Sequence, residues 1–120
     1  MKFSESLKKN QDFRIVYAKG KSYGGKYFLM YLLNNSQDNN RLGISVSKKV
    51  GNSVVRHRVT RLVREAYRLQ EELFFKGGES FCYDIVIVAR AASKNVTYKE
   101  TEQEILHLFE CILMKAGKMN

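Results

Sequence analysis

The stretch SVVRHRVTRLVREAYRLQEELFF, Ser53 to Phe75, contains neither proline nor glycine and is long enough for about six turns of helix. Wound at 3.6 residues per turn, Val55, Val59, Leu62, Ala66 and Leu73 fall on one side. His57, Arg61, Arg64 and Arg68 fall within roughly 60° of one another on the other side, flanked by Arg56 and Arg58. A helix divided in this way must lay its apolar side on other parts of the chain, so the remaining sequence has to supply a covering layer. The start is marked by Gly51-Asn52 and the end by Gly77-Gly78.

Around this helix the chain reads as strands and two more helices. Gln11 to Lys19 places Phe13, Val16 and Tyr17 at helical spacing, with Gly20 as the stop. Tyr27 to Leu33 is apolar on both faces and reads as a buried strand. Asn34 to Asn40 has turn chemistry. From Arg41 to Ser47 the pattern alternates, with Leu42, Ile44 and Val46 on one face and Gly43, Ser45 and Ser47 on the other. That second face is small and hydroxylated, a surface that a phosphate backbone can approach. Tyr83 to Ala89 is a β-branched run typical of a central strand. Thr97-Tyr98-Lys99-Glu100 is a capping box opening a last helix. Its core stripe is Ile105, Leu108, Phe109, Ile112 and Leu113, with Glu102, Glu104 and Glu110 facing out. The order helix, strands, helix, strand, helix describes an α+β fold, an α/β sandwich formed by one domain over residues 1–120.

The charge is not evenly spread. Residues 41 to 68 carry eight Lys or Arg against the single acid Glu65, a net of +7, whereas residues 69 to 120 sum to −2 and the whole chain to +9. An exposed helical face laced by i,i+4 ion pairs would be the ordinary explanation, but before Glu71 this helix offers only Glu65. Aligned bases without counter-charges repel one another, a cost that a bound polyanion relieves. Arginine dominates, and its planar fork suits bidentate phosphate contacts and stacking. Lys48 and Lys49 extend the positive surface, and Gly51, Asn52 and Ser53 bring helix N-terminal N–H groups beside them. The glycine spacing is not that of a Walker A loop. Phe13, Tyr17 and Tyr31 offer aromatic faces, either to the core or to unpaired bases.

Other classes fit poorly. Asp12, Asp38 and Asp84 sit in unrelated segments, and no metal-ligand spacing or nucleophile motif is present. His57 belongs to the basic face, and His107 reads as structural. The pattern supports a binder rather than a catalyst, and a self-sufficient nuclease is disfavoured. A helix-turn-helix DNA binder lacks its short first helix. No run of eighteen apolar residues could span a membrane, MKFSESLKKNQDF lacks the apolar centre of a secretory signal, and a cytoplasmic location is expected. Cys82 and Cys111, far apart, read as reduced thiols.

SVSKKVG followed by VVRHRVTRLVREAYR resembles the signature of the bacterial ribonuclease P protein subunit. DFRIVY, YFLMYLL, RLGISVSKK, DIVIVAR and TYKE agree in order and spacing across nearly the whole chain. The resemblance implies a ribosomal S5 domain 2-like fold, its mixed central sheet carrying a left-handed βαβ crossover where the general rule favours a right-handed one. It further implies a small basic subunit, with no obligate protein partner, that binds a catalytic RNA. Together they remove the 5′ leader of precursor tRNA with Mg2+ held largely by the RNA. By the same resemblance Lys48, Lys49, Arg56, His57, Arg58, Arg61, Arg64 and Arg68 contact the catalytic RNA. Phe13, Tyr17, Tyr31, Ser45 and Ser47 line the leader cleft. Two departures stand out: the arginine–asparagine–arginine triplet of the family reads Arg56-His57-Arg58, and Thr60 stands where a lysine is usual. The runner-up is a ribosomal or other structured-RNA-binding protein of similar fold.

Overall fold

The computed structural model describes residues 4–35, 39–75 and 82–115; the side chains of 72–75 and 113–115 fall outside that description. The expected Gly77-Gly78 stop, the middle of the 34–40 loop, and the side chains of Leu73 and Leu113 therefore lie outside the described residues. The elements run β1 (Ser4–Ser6), α1 (Asn10–Lys19), β2 (Lys21–Gly24), β3 (Phe28–Asn35), β4 (Asn40–Ser45), α2 (Ser53–Phe75), β5 (Cys82–Ala89), a short 3-10 turn (Ala91–Asn95) and α3 (Tyr98–Lys115). The fold is α+β, as the sequence indicates, but it opens on a strand. β1 and β2 are absent from the sequence reading because SES and KSYG are short, polar edge segments without a period to detect.

The five strands form one mixed sheet in the order β1-β4-β5-β3-β2. β1 and β5 lie parallel to β4, while β3 is antiparallel to both β5 and β2. The period of two sorts the side chains into two cores. Phe28, Met30 and Leu32 of β3, with Ile85 and Ile87 of β5, join Val59, Val63, Ala66 and Tyr67 of α2 and Ile105, Leu108, Phe109 and Ile112 of α3. On the other face Val86 meets Val16 of α1 and Leu7, with Phe13, Tyr31, Leu33 and Val88 partly buried around them. The sheet is thus covered by α2 and α3 on one side and by the shorter α1 on the other. β3 is apolar on both faces, yet only the first is fully buried, because a ten-residue helix leaves part of the second uncovered.

Register is fixed by a polar network as well as by packing. Arg41 and Asp84 are partners across β4 and β5, and the guanidinium donates from Nε to Oδ1 (2.8 Å) and from Nη2 to Oδ2 (2.6 Å) of an aspartate that is 4% exposed. Asn35 donates to the same Oδ1 at 2.7 Å, and Arg41 reaches Asp12 of α1 at 3.3 Å. Both carboxylates raise the guanidinium pKa, the bonded Asp84 most strongly, so Arg41 keeps its charge.

Of the acids of α3 expected to face solvent, Glu110 is exposed and Glu102 partly so, but Glu104 departs from the expectation. The Glu104 carboxylate turns inward and accepts from the backbone N–H groups of Lys26 (3.0 Å), Tyr27 (2.8 Å) and Phe28 (2.6 Å). Gly25 makes room, since a Cβ there would lie 2.5 Å from the carboxyl carbon. Glu100 and Thr97 form the capping box in both directions, at 3.0 and 3.1 Å, and Glu100 also accepts the Tyr27 hydroxyl at 2.9 Å.

Two outcomes follow from these contacts. Asp84→Ala should lower the unfolding free energy by about 3 kcal/mol, the low end for breaking a buried pair because Arg41 keeps Asp12. Guanidinium denaturation reads this as a lower midpoint at unchanged slope, and a loss below about 1 kcal/mol would remove the network from its place in the fold. The Thr97 N–H first, and then the Tyr27 hydroxyl, hold the Glu100 carboxyl below its usual value. A depressed folded-state pKa gives stability that is present above the unfolded value of about 4.3 and is lost as pH falls through the folded one. Glu100→Gln should therefore flatten the acid limb of the stability–pH curve without altering its neutral-to-alkaline side.

Candidate nucleic-acid interface

β4 ends at Ser45, and a turn carries the chain to α2. The Ser47 carbonyl accepts the Val50 N–H at 3.0 Å, and Val50 is buried as the anchor. Ser47, Lys48 and Lys49 stand exposed on this turn, Ser47 outside the strand itself. Asn52 then caps the helix with its own side chain, its Oδ1 accepting the Val55 N–H at 3.0 Å. The expected anion site at this N-terminus is thus partly taken by the protein itself.

Along α2 the apolar positions pack as their spacing requires: Val59 and Ala66 are buried, and Val55 and Leu62 are partly buried against the core. Val63 and Tyr67 extend this side. Opposite them His57, Arg61, Arg64 and Arg68 are exposed. The basic side is not uniform. Arg58 donates to the Val96 carbonyl at 2.5 Å, which ties its guanidinium to the segment before α3. Arg68 pairs with Glu65 one turn earlier, both side chains about half exposed, so one member of the stripe does have a counter-charge. Arg56 is partly buried, and its carbonyl accepts the Thr60 hydroxyl at 2.9 Å. A hollow of about 500 Å³ runs along Ser53, Val54, His57, Arg58 and Arg61, with Val54 76% exposed on the first turn.

The aromatic residues come together on the other side of the sheet. Tyr17 stands edge-on to Tyr31 with ring centroids 5.0 Å apart, and Phe13 is tilted against Tyr17 at 6.3 Å. With Asn10, Arg14, Ile44 and Ser45, Phe13 and Tyr17 line a cleft of about 330 Å³. Phe13 is the floor: its ring lies where a Gly43 Cβ would be, at 2.5 Å. The Gly43 face of β4 is therefore occupied by an aromatic ring and is open only from Ser45 onward. Tyr17, 39% exposed, forms the rim. Asn10 and Arg14 are members of this cleft that sequence reasoning passed over. Their one signal was position, one turn before and one residue after the aromatic pair's first member on α1.

Several carboxylates are engaged in structural bonds. Asp12 and Asp84 are engaged by Arg41, Glu104 by backbone N–H groups, and Glu71 accepts a hydrogen bond from Ser4 at 2.9 Å. Among the described residues no group of three or more His, Cys, Asp or Glu could hold a metal ion, and no helix is long and apolar enough to cross a membrane.

The family model for ribonuclease P matches residues 1–113. This chain belongs to the ribonuclease P protein family. The ribonuclease P protein component of Lachnoclostridium phytofermentans is 55% identical over 105 residues, covering 88% of this chain and 86% of that one. The component from Clostridioides difficile is 49% identical over 105 residues, covering 88% and 89%. Among solved structures, the Staphylococcus aureus RNase P protein superposes with a TM-score of 0.76 at 34% identity, covering 88% of this chain and 93% of the other. The Thermotoga maritima protein gives 0.76 at 30% identity, covering 90% and 97%. The ribosomal runner-up gives way to this match. As a ribonuclease P protein, the chain is the RNA-binding component of a tRNA-processing ribonucleoprotein, and its RNA partner is the ribonuclease P RNA.

The unequal stripe predicts unequal effects. Alanine at Arg61 or Arg64 should weaken binding to ribonuclease P RNA and reduce the magnitude of the log K against log salt slope by roughly 0.7 to 0.9. Arg68→Ala also removes the charge that neutralises Glu65 and should weaken binding by a similar or greater factor, part of which Glu65→Gln restores in the double variant. Filter-binding titrations across a salt series decide this; unchanged slopes for Arg61 and Arg64 in folded variants would detach the stripe from phosphate.

Proposed function

We propose that the two sides of the sheet take two different RNAs. The exposed face of α2 (His57, Arg61, Arg64 and Arg68, with Arg56 and Arg58 beside it) and the Lys48-Lys49 turn contact the phosphates of the catalytic RNA. The cleft of Phe13, Tyr17 and Tyr31, with Ser45 at its end and Ser47 beyond, holds the single-stranded 5′ leader of precursor tRNA. The RNA carries out hydrolysis with Mg2+ held largely by its own phosphates. The protein positions the substrate, in the cytoplasm and without an obligate protein partner.

The observation that carries this reading is the difference in chemistry between the two surfaces. α2 presents charge with few counter-ions, the means by which a protein grips a backbone regardless of sequence. The cleft presents aromatic edges and faces with little charge beyond Arg14, a platform for unpaired bases. Packing alone does not require Tyr17 at the rim, where it is 39% exposed. The donor set also fits metal held elsewhere, because the carboxylates described above are committed to structural bonds.

Reconstitution with a ribonuclease P RNA at low Mg2+ tests the assignment as a whole: the chain should restore leader removal that the RNA alone performs poorly under those conditions. The cleft has its own test. Tyr17→Ala or Tyr31→Ala should cost roughly 1–3 kcal/mol in holoenzyme binding of precursor tRNA and little in binding of mature tRNA, which has no leader. Equal losses for both RNAs would return the aromatics to a packing role.

A further inference from the structure

On the first turns of α2, Val54, His57, Arg58 and Arg61 recur at i, i+3, i+4 and i+7 and so share one side of the helix. With Ser53 they line the hollow of about 500 Å³, a volume within the range of small-molecule sites, about 300–1,000 Å³. At about 100° per residue, Val54 and Arg61 lie along its middle while His57 and Arg58 diverge to either side. The hollow therefore has an apolar floor, Val54 at 76% exposure, between two flat groups, an imidazole and a guanidinium. The guanidinium of Arg58 is held in place by the Val96 carbonyl at 2.5 Å. Attraction to phosphate accounts for the arginines but not for a concave site with an exposed valine and a ring. A phosphate group would leave Val54 uncovered. The flat face of an unpaired base covers it and stacks on an imidazole or guanidinium plane.

On the reading that the α2 face meets the catalytic RNA, we propose that this hollow takes one extruded, unpaired base of that RNA. Val54 lies beneath the base, and His57 and Arg58 stand at its sides. The Ser53 hydroxyl and the remaining N–H groups of Arg58 can donate to its edge, and Arg61 takes its phosphate. The rest of the stripe grips backbone without regard to sequence, whereas this position requires a nucleotide outside the pairing of a duplex. His57 is the specificity-determining residue, and it contributes stacking surface rather than charge.

The test is filter binding of the full-length chain to ribonuclease P RNA at pH 8, where free histidine is neutral. His57→Ala should weaken binding roughly 5- to 150-fold with the log K against log salt slope unchanged, since no phosphate contact is lost. His57→Phe should keep most of the affinity. His57→Lys adds a charge to the stripe and should still weaken binding, where a surface that meets phosphates alone would gain. Val54→Ser should weaken binding by a smaller factor than His57→Ala. Both side chains are exposed, and circular dichroism confirms that the variants fold. The chain has no tryptophan, so His57→Trp supplies a single reporter whose emission the RNA should quench by stacking. Ile15→Trp, on the exposed side of α1, should keep its emission. Wild-type affinity in His57→Ala, tighter binding by His57→Lys, or no more quenching in His57→Trp than in Ile15→Trp overturns the base slot. Failure of the slot alone leaves the lowered salt slope of Arg61→Ala in place; loss of that effect as well would remove the RNA from this face altogether.

Discussion

Arg41 and Asp84 hold β4 beside β5, and both the layering of the molecule and the placing of α2 depend on that pairing. α2 is the connection between these two parallel strands, so where β4 meets β5 determines where the helix begins and ends. A slip of one residue would send Ile85 and Ile87 to the α1 side and draw Asp84 into the larger core, where no partner for its charge is provided. A bidentate ion pair at a single register position opposes that slip more strongly than β-branched packing, which tolerates neighbours of similar shape. Asp12 extends the same network to α1, so one guanidinium ties the sheet to the helix that forms the aromatic cleft.

Two binding chemistries are thereby kept apart. The period of two along β3 and β5 sends alternate side chains to α2 and α3 or to α1, and the surfaces beyond those helices do not mix. The turn that carries Lys48 and Lys49 joins β4, whose end borders the cleft, to α2, which bears the basic face. That turn is anchored by Val50 beneath it, so its lysines project from a fixed base.

Much of this was legible in the sequence where a period was long enough to detect. α2, the run from Tyr83 to Ala89 and the Thr97–Glu100 box each agree with the structure within a residue or two, because hydrophobic spacing and cap chemistry are local. What escaped was non-local. The SES and KSYG strands exist only because a neighbour offers an open edge, and no property of three or four polar residues announces it. Glu104 looks like any exposed helix acid until Gly25 admits it to three N–H groups lying far away in sequence. Gly43 read as an approach for phosphate, whereas its missing side chain makes room for Phe13. In the arginine stripe the separate role of Arg58 depends on the Val96 carbonyl, a partner that helical angles alone do not select.

β5 lies at the centre of the sheet but enters the chain only at residue 82. During synthesis, β1, α1 and the β2–β3 pair leave the ribosome well before the strand that joins β3 to β4 exists. Val16 has no Val86 to pack on, and Arg41 has no Asp84, until the chain has grown past residue 84 to 86. The basic segment from 41 to 68 therefore emerges with most of its charges unopposed and its sheet unclosed. A polyanion that meets the chain at that stage encounters a flexible cationic segment rather than a finished helix face. Closure of the sheet is then a late, cooperative event dominated by contacts distant in sequence, the regime in which folding is slowest.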